Sequence, residues 1–154
     1  MNETKTISIS DHITESRIGF YSKPITKLFI FSDLIGRFHY HKPEAAIQSI
    51  LEREKAGSTI ITPGVSVPHA RLIDLPDVVA SLGICLEGVQ DPKGSETVRI
   101  FLLFLGPANN MKRNLDFLAS VSSLFSTEGF MDEVLKATDA SRVMAAIRGA
   151  EQNV

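Results

Sequence analysis

Two stretches of the chain are almost uninterrupted in apolar residues: Val78-Val79-Ala80-Ser81-Leu82-Gly83-Ile84-Cys85-Leu86 and Val98-Arg99-Ile100-Phe101-Leu102-Leu103-Phe104-Leu105. A strand with one wet face alternates apolar and polar residues, whereas a strand buried on both faces does not. Turn formers bound each run, with Leu75-Pro76-Asp77 before the first and Gly106-Pro107 after the second. Neither approaches the roughly 18 residues that a membrane span needs. These runs read as central strands, and central strands need layers of helices above and below. Between them, Glu87 to Thr97 is polar and carries Gly88, Pro92 and Gly94, so it reads as a surface loop.

The other segments supply those layers. Ile18-Gly19-Phe20-Tyr21 reads as the first strand. Ile25, Leu28, Phe29 and Ile35 fall at helical spacing, widened by Phe31, Leu34 and Phe38, and predict a helix over about 24–37 with Pro24 at its first position. Pro43 opens a helix over about 43–55, with Glu44 in the first turn, Ile47, Ile50 and Leu51 inward, and Arg53 and Lys55 near the end. Thr59-Ile60-Ile61 and Val65-Ser66-Val67 form two short strands around a Pro63-Gly64 turn. Met111, Leu115, Leu118, Ala119, Ser122 and Phe125 share one face of a helix over about 110–125. Phe130, Val134 and Leu135 mark a short helix; Asp139 caps a last one, with Val143, Met144 and Ile147 inward and Gly149 ending it. The expected fold is α/β in three layers, a mixed sheet of about five strands flanked by helices on both faces. The length of 154 residues suits a single domain over 1–154, with 1–7 a loose tail.

Composition narrows the function. A net charge of −2 gives no global attraction to nucleic acid or an acidic membrane. The lone Cys85 lies inside an apolar run, so it reads as a buried, inert thiol. The polar start Met1-Asn2-Glu3-Thr4-Lys5 is unlike a signal peptide, and the expected location is cytoplasmic, with no direct membrane insertion. His39 and His41 flank Tyr40 in a linker with no third ligand nearby, so no metal and no cofactor are implied.

The chemistry concentrates in Gly64-Val65-Ser66-Val67-Pro68-His69-Ala70-Arg71. Gly64 permits a backbone shape closed to other residues. Pro68 lacks an N–H, so the ladder is expected to stop there and His69 to emerge at a strand end. An imidazole is a nucleophile near neutral pH because part of it is unprotonated.

This stretch resembles the phosphorylation-site motif of the enzyme IIA domains of the bacterial sugar phosphotransferase system, in the fructose/mannitol/nitrogen-regulatory family. The family pattern runs through an Arg-Glu segment and a Ser-Thr to Gly-apolar-Ala-apolar-Pro-His. Here it reads Arg53-Glu54, Ser58-Thr59 and Gly64-Val65-Ser66-Val67-Pro68-His69. The resemblance implies the same three-layer fold, with His69 as a phosphohistidine and Arg53, Ser58 and Thr59 supporting the phosphate. It also implies an HPr-like phosphocarrier as donor and an enzyme IIB or a regulated protein as the next partner.

Two departures from the pattern matter. Thr62-Pro63 stands where Gly-Asn is common, which changes a turn. Asn114-Leu115 stands where the family has a second histidine in a His-Leu pair. An amide donates hydrogen bonds to phosphate but carries no charge. Either transfer is slower, or Lys112, Arg113 or Arg71 compensates, or the chain is a regulatory binding module that is weakly phosphorylated or not at all. An unrelated α/β binding or metal protein would need a ligand set that the sequence lacks.

Overall fold

The computed structural model describes residues 7–91 and 96–152. The strands are β1 (Ile18–Tyr21), β2 (Ile60–Thr62), β3 (Val65–Ser66), β4 (His69–Leu72), β5 (Val79–Gln90) and β6 (Thr97–Pro107). The helices are α1 (Lys27–Gly36), α2 (Pro43–Ala56), α3 (Met111–Ser126), α4 (Phe130–Lys136) and α5 (Ala140–Glu151). The sheet runs β1-β5-β6-β3-β2, with β4 also on β6. It is mixed: β1 lies parallel to β5 and β3 and β4 parallel to β6, whereas β5–β6 and β2–β3 are antiparallel.

The two apolar runs form the centre, as their composition requires. Alternate residues serve opposite faces. Leu82, Ile84, Ile100, Leu102 and Phe104 pack with Phe117, Val121 and Ile147 from α3 and α5. Phe101, Leu103 and Leu105 pack with Ile30, Phe31, Leu34 and Ile50 from α1 and α2. Cys85 is fully buried in β5. The three layers are those expected from the sequence.

The structure corrects several boundaries. Helix α1 starts at Lys27 and not at Pro24, because the Thr26 side chain caps it by accepting a hydrogen bond from Phe29 N at 3.1 Å. Helix α5 runs through Gly149 to Glu151. β5 and β6 extend to Gln90 and back to Thr97, so much of the expected loop is strand, and the residues at its tip, 92–95, lie outside the described residues. Gly88 fits within β5 at φ 80°, inside an irregular register between Ile84 and Val89. The expected loose tail falls on residues 1–6, outside the described residues, and on Ile7, which is buried with its N–H donating to Ser120 Oγ at 2.8 Å.

The largest correction concerns Pro68. The ladder does not end there. β3 pairs with Ile100 and Phe101, and β4 resumes on the same strand with His69 opposite Phe104 and Arg71 opposite Gly106. Proline lacks the donor, but its carbonyl still accepts: Phe104 N donates to Pro68 O at 3.0 Å. β3 and β4 are thus two halves of one broken edge along β6, and His69 opens the second half.

Candidate functional site

Strand alternation sets which way His69 faces. Its neighbour Ala70 is buried in the core on the α1–α2 side, so His69 and Arg71 lie on the opposite face, toward α3. The imidazole stacks on Phe104 with centroids 5.0 Å apart and planes 6° from parallel. Phe104 in turn packs on Phe117 of α3 at 4.9 Å. This gives the ring a flat, rigid seat.

Its tautomer follows from one contact. His69 Nδ1 lies 2.8 Å from Val67 O. A carbonyl oxygen only accepts, so Nδ1 carries the proton and Nε2 holds the free lone pair. Burial pushes the imidazole pKa below its ordinary value. The charges of Arg53 and Arg71 act in the same sense, against the Val67 hydrogen bond and Glu54. The neutral, nucleophilic ring is therefore favoured. In the unfolded chain His69 would bind its proton more tightly, so its contribution favours folding above the unfolded value near ~6.5. That contribution is lost as pH falls toward the lower folded pKa. Ring ¹⁵N shifts followed against pH will give a midpoint below that of a free histidine; a midpoint above it would contradict the buried, neutral ring.

The residues singled out by sequence lie around this ring to different degrees. Arg53, in the last turn of α2, donates from Nη1 to Gly57 O at 3.1 Å, the expected contact of a cation with a helix C-terminus. Ser58 is exposed and its Oγ accepts from Ile60 N at 3.1 Å. Thr59 is buried, donates to Glu54 Oε1 and lies 3.0 Å from Ser66 Oγ. Glu54 also holds Lys27 Nζ at 2.9 Å. Lys27, Glu54, Thr59 and Ser66 thus form a polar chain from α1 to the strand that leads into His69. Sequence reasoning had not connected Glu54 or Ser66 to the site. The signal was Ser66 in place of the family's alanine, a hydroxyl at a position that β3 buries.

Asn114 sits in the first turn of α3, against the end of β6. Its Nδ2 donates to Pro107 O and Asn110 O, both at 2.8 Å. Both acceptors are carbonyls, so the amide cannot be flipped. Oδ1 faces Gly106 and is buried without a partner. Any phosphate contact would need an N–H to leave one of those carbonyls. The neighbouring cations are also engaged. Lys112 bridges Asp116 at 2.8 Å, and Arg113 grips Asp77 through Nε at 2.8 Å and Nη2 at 3.0 Å. That guanidinium holds the Asp77 carboxyl well below the usual range, at about 2. Arg71 differs: it is exposed, and it makes a weak contact from Nη1 to Met111 Sδ at 3.4 Å.

Residues 27–150 match the family described as "Phosphoenolpyruvate-dependent sugar phosphotransferase system, EIIA 2". The chain belongs to this family. It is 30% identical over 113 residues to the nitrogen regulatory protein of Escherichia coli (strain K12), covering 71% of this chain and 68% of that one. Among solved structures it resembles the nitrogen regulatory protein IIA-Ntr of Neisseria meningitidis with a TM-score of 0.78 at 20% identity, over 90% of this chain and 98% of that one. It also resembles the enzyme IIA-MTL of Escherichia coli solved in complex with phosphorylated enzyme IIB-MTL, with a TM-score of 0.69 at 18% identity, over 88% and 96% of the two chains. This EIIA-type chain is accordingly a phosphotransfer component of that system at the level the family defines. No helix among the described residues is long and apolar enough to cross a membrane.

Proposed function

We propose that the chain, acting as one EIIA domain, takes a phosphoryl group on Nε2 of His69 from an HPr-like phosphocarrier. It then passes the group to an enzyme IIB or holds it as a regulatory signal. The observation that carries this reading is the Val67 carbonyl on Nδ1, which leaves Nε2 unprotonated beside a supporting aromatic ring. In the step, the Nε2 lone pair forms a bond to phosphorus while the donor's P–N bond breaks and its electron pair returns to the donor imidazole. Protein catalysis of such a transfer consists of positioning and charge neutralisation. The enzyme IIB partner is supported by the solved complex of the related enzyme IIA-MTL. Incubation with phosphoenolpyruvate, enzyme I and HPr tests the reading through the appearance of an acid-labile phosphoryl group.

Charge neutralisation falls to Arg71. It shares the His69 face of β4, its charge already acts on the ring, and no carboxylate holds it among the described contacts. Arg53 sits on the other side, also within electrostatic reach. Arg71→Ala is expected to slow phosphoryl uptake by about tenfold, and Arg71→Lys by much less. Quench-flow rates with phospho-HPr check this; equal rates for all three proteins would remove Arg71 from the reaction.

A second reading is favoured by the Asn114 amide, whose two N–H groups are both committed to backbone carbonyls. With no second histidine and no free amide, the chain would serve as a docking module of the same fold. Failure to take up phosphoryl from a cognate HPr would select that reading.

A further inference from the structure

A cleft of about 790 Å³ opens between α2 and the sheet, bounded by the start of α1, β2 and the ends of β5 and β6. It shares Ser58 and Thr59, and Glu54 and Ser66 of the polar chain beneath the histidine, but its apolar walls lie outside the phosphotransfer reading. Its volume is that of a pocket for a small organic molecule.

The lining has a fixed polarity that follows from the helix period. Ile47 and Leu51, four residues apart, make one row along α2 and face Ile60 and the half-exposed Leu28. Glu44 and Glu52, one turn either side of Gln48, make the adjacent row at the solvent rim. Lys27 lines the cleft but is held by Glu54 at 2.9 Å, and Lys55 follows Glu52 in the last turn. Among the described lining residues an occupant therefore meets apolar walls, with the exposed carboxylates of Glu44 and Glu52 and the carboxylate of Asp91 set against the exposed ammonium of Lys55. We propose that this cleft is a binding site for a small amphipathic organic cation, an apolar or aromatic body with an ammonium head, seated with the body on Ile47, Leu51 and Ile60 and the head at the rim, in the field of Glu44 and Glu52, which lie about two helical turns apart. A peptide would need a longer open groove; the cleft is enclosed by elements on several sides, which favours the small molecule.

The test is a methyl NMR titration of the full chain with 4-phenylbutylammonium, compared with the anionic isostere 5-phenylpentanoate. The ammonium is expected to shift the methyl signals of Leu28, Ile47, Leu51 and Ile60 with a dissociation constant of about a millimolar or tighter. Its affinity should exceed that of the anion by about tenfold, and Glu44→Gln with Glu52→Gln should reduce this preference to less than about threefold. Both glutamates are exposed, so the double variant keeps the fold. Ile47→Trp, which fills the cleft from α2, should abolish the shifts. Equal binding of the anion, shifts confined to another surface, or an unchanged preference in the double variant would each overturn the assignment. Binding of a cationic amphipathic peptide, with neither small probe bound, would overturn it in favour of a protein partner.

Discussion

His69→Ala is expected to abolish phosphoryl uptake from phospho-HPr, lowering it by more than roughly a hundredfold because the nucleophile itself is gone. No other described histidine is placed to substitute. His12 has Nε2 against Arg113 Nη2 at 3.0 Å and Nδ1 against Ser8 O at 3.0 Å. His41 is tied to Asp74 at 2.9 Å in the α1–α2 linker, and His39 beside it is exposed at φ 54° with no aromatic seat. The variant should still fold. Its cost is the stacking on Phe104, about 0.5–1.5 kcal/mol, and the Nδ1 hydrogen bond to Val67 O, about 1 kcal/mol. Loss of uptake with a denaturation midpoint lowered by no more than that amount would therefore report chemistry and not unfolding. Residual uptake near the wild-type rate would place the acceptor elsewhere.

Gly106→Ala is expected to be the most destabilising single substitution near the site. An alanine Cβ there would stand 1.5 Å from Asn114 Oδ1 and 2.7 Å from its Cγ. A flexible side chain would swing away at little cost, but this one is buried and pinned by two hydrogen bonds. Moving it gives up both bonds, each worth about 1 kcal/mol net, in addition to the overpacking cost of about 1–3 kcal/mol. A loss of about 3 kcal/mol in urea unfolding is the expected result. Asn114→Ala alone should also destabilise, but the double variant should lose at least about 1 kcal/mol less than the sum, because removing the amide makes room for the methyl. Additive losses would show that the Gly106–Asn114 contact does not set the packing of α3 on β6. The same pair explains how the departure at position 114 fits the fold: the amide clamps the first turn of α3 to the strand end opposite Arg71.

Much of this arrangement was legible in residue patterns. The continuous apolar runs of β5 and β6 demanded cover on both faces. The helices were legible as helices, but not all their inward faces were: Met111 and Leu115 of the face read on α3 are exposed while Asn114, Phe117, Val121 and Leu124 pack inward, and Leu28 and Phe29 of the α1 stripe are exposed while Ile30, Phe31, Leu34 and Ile35 are buried. The Pro-His pair in its glycine-and-valine context marked His69. Three further things were not legible, each for a physical reason. β4 is short, and Pro68 looked like a terminator because sequence reasoning counted its missing donor and not its remaining acceptor. The Phe104 seat depends on register between strands far apart in the chain, which local periodicity does not carry. The commitments of Lys112 and Arg113 depend on Asp116 and Asp77; the first lies at helical spacing on α3 and was open to reading, whereas the second comes from a separate loop.

Position of the phosphoryl group on the protein tests the account most directly. The wild-type chain is incubated with phosphoenolpyruvate, enzyme I and HPr, its intact mass is recorded, and the ring nitrogens of the product are assigned by long-range ¹H–¹⁵N correlation. The account predicts a gain of one phosphoryl group, about 80 Da, labile in acid and carried by Nε2 of His69 with Nδ1 still protonated against Val67. No gain in mass with a cognate HPr, or a phosphoryl group on Nδ1 or on another histidine, would contradict it.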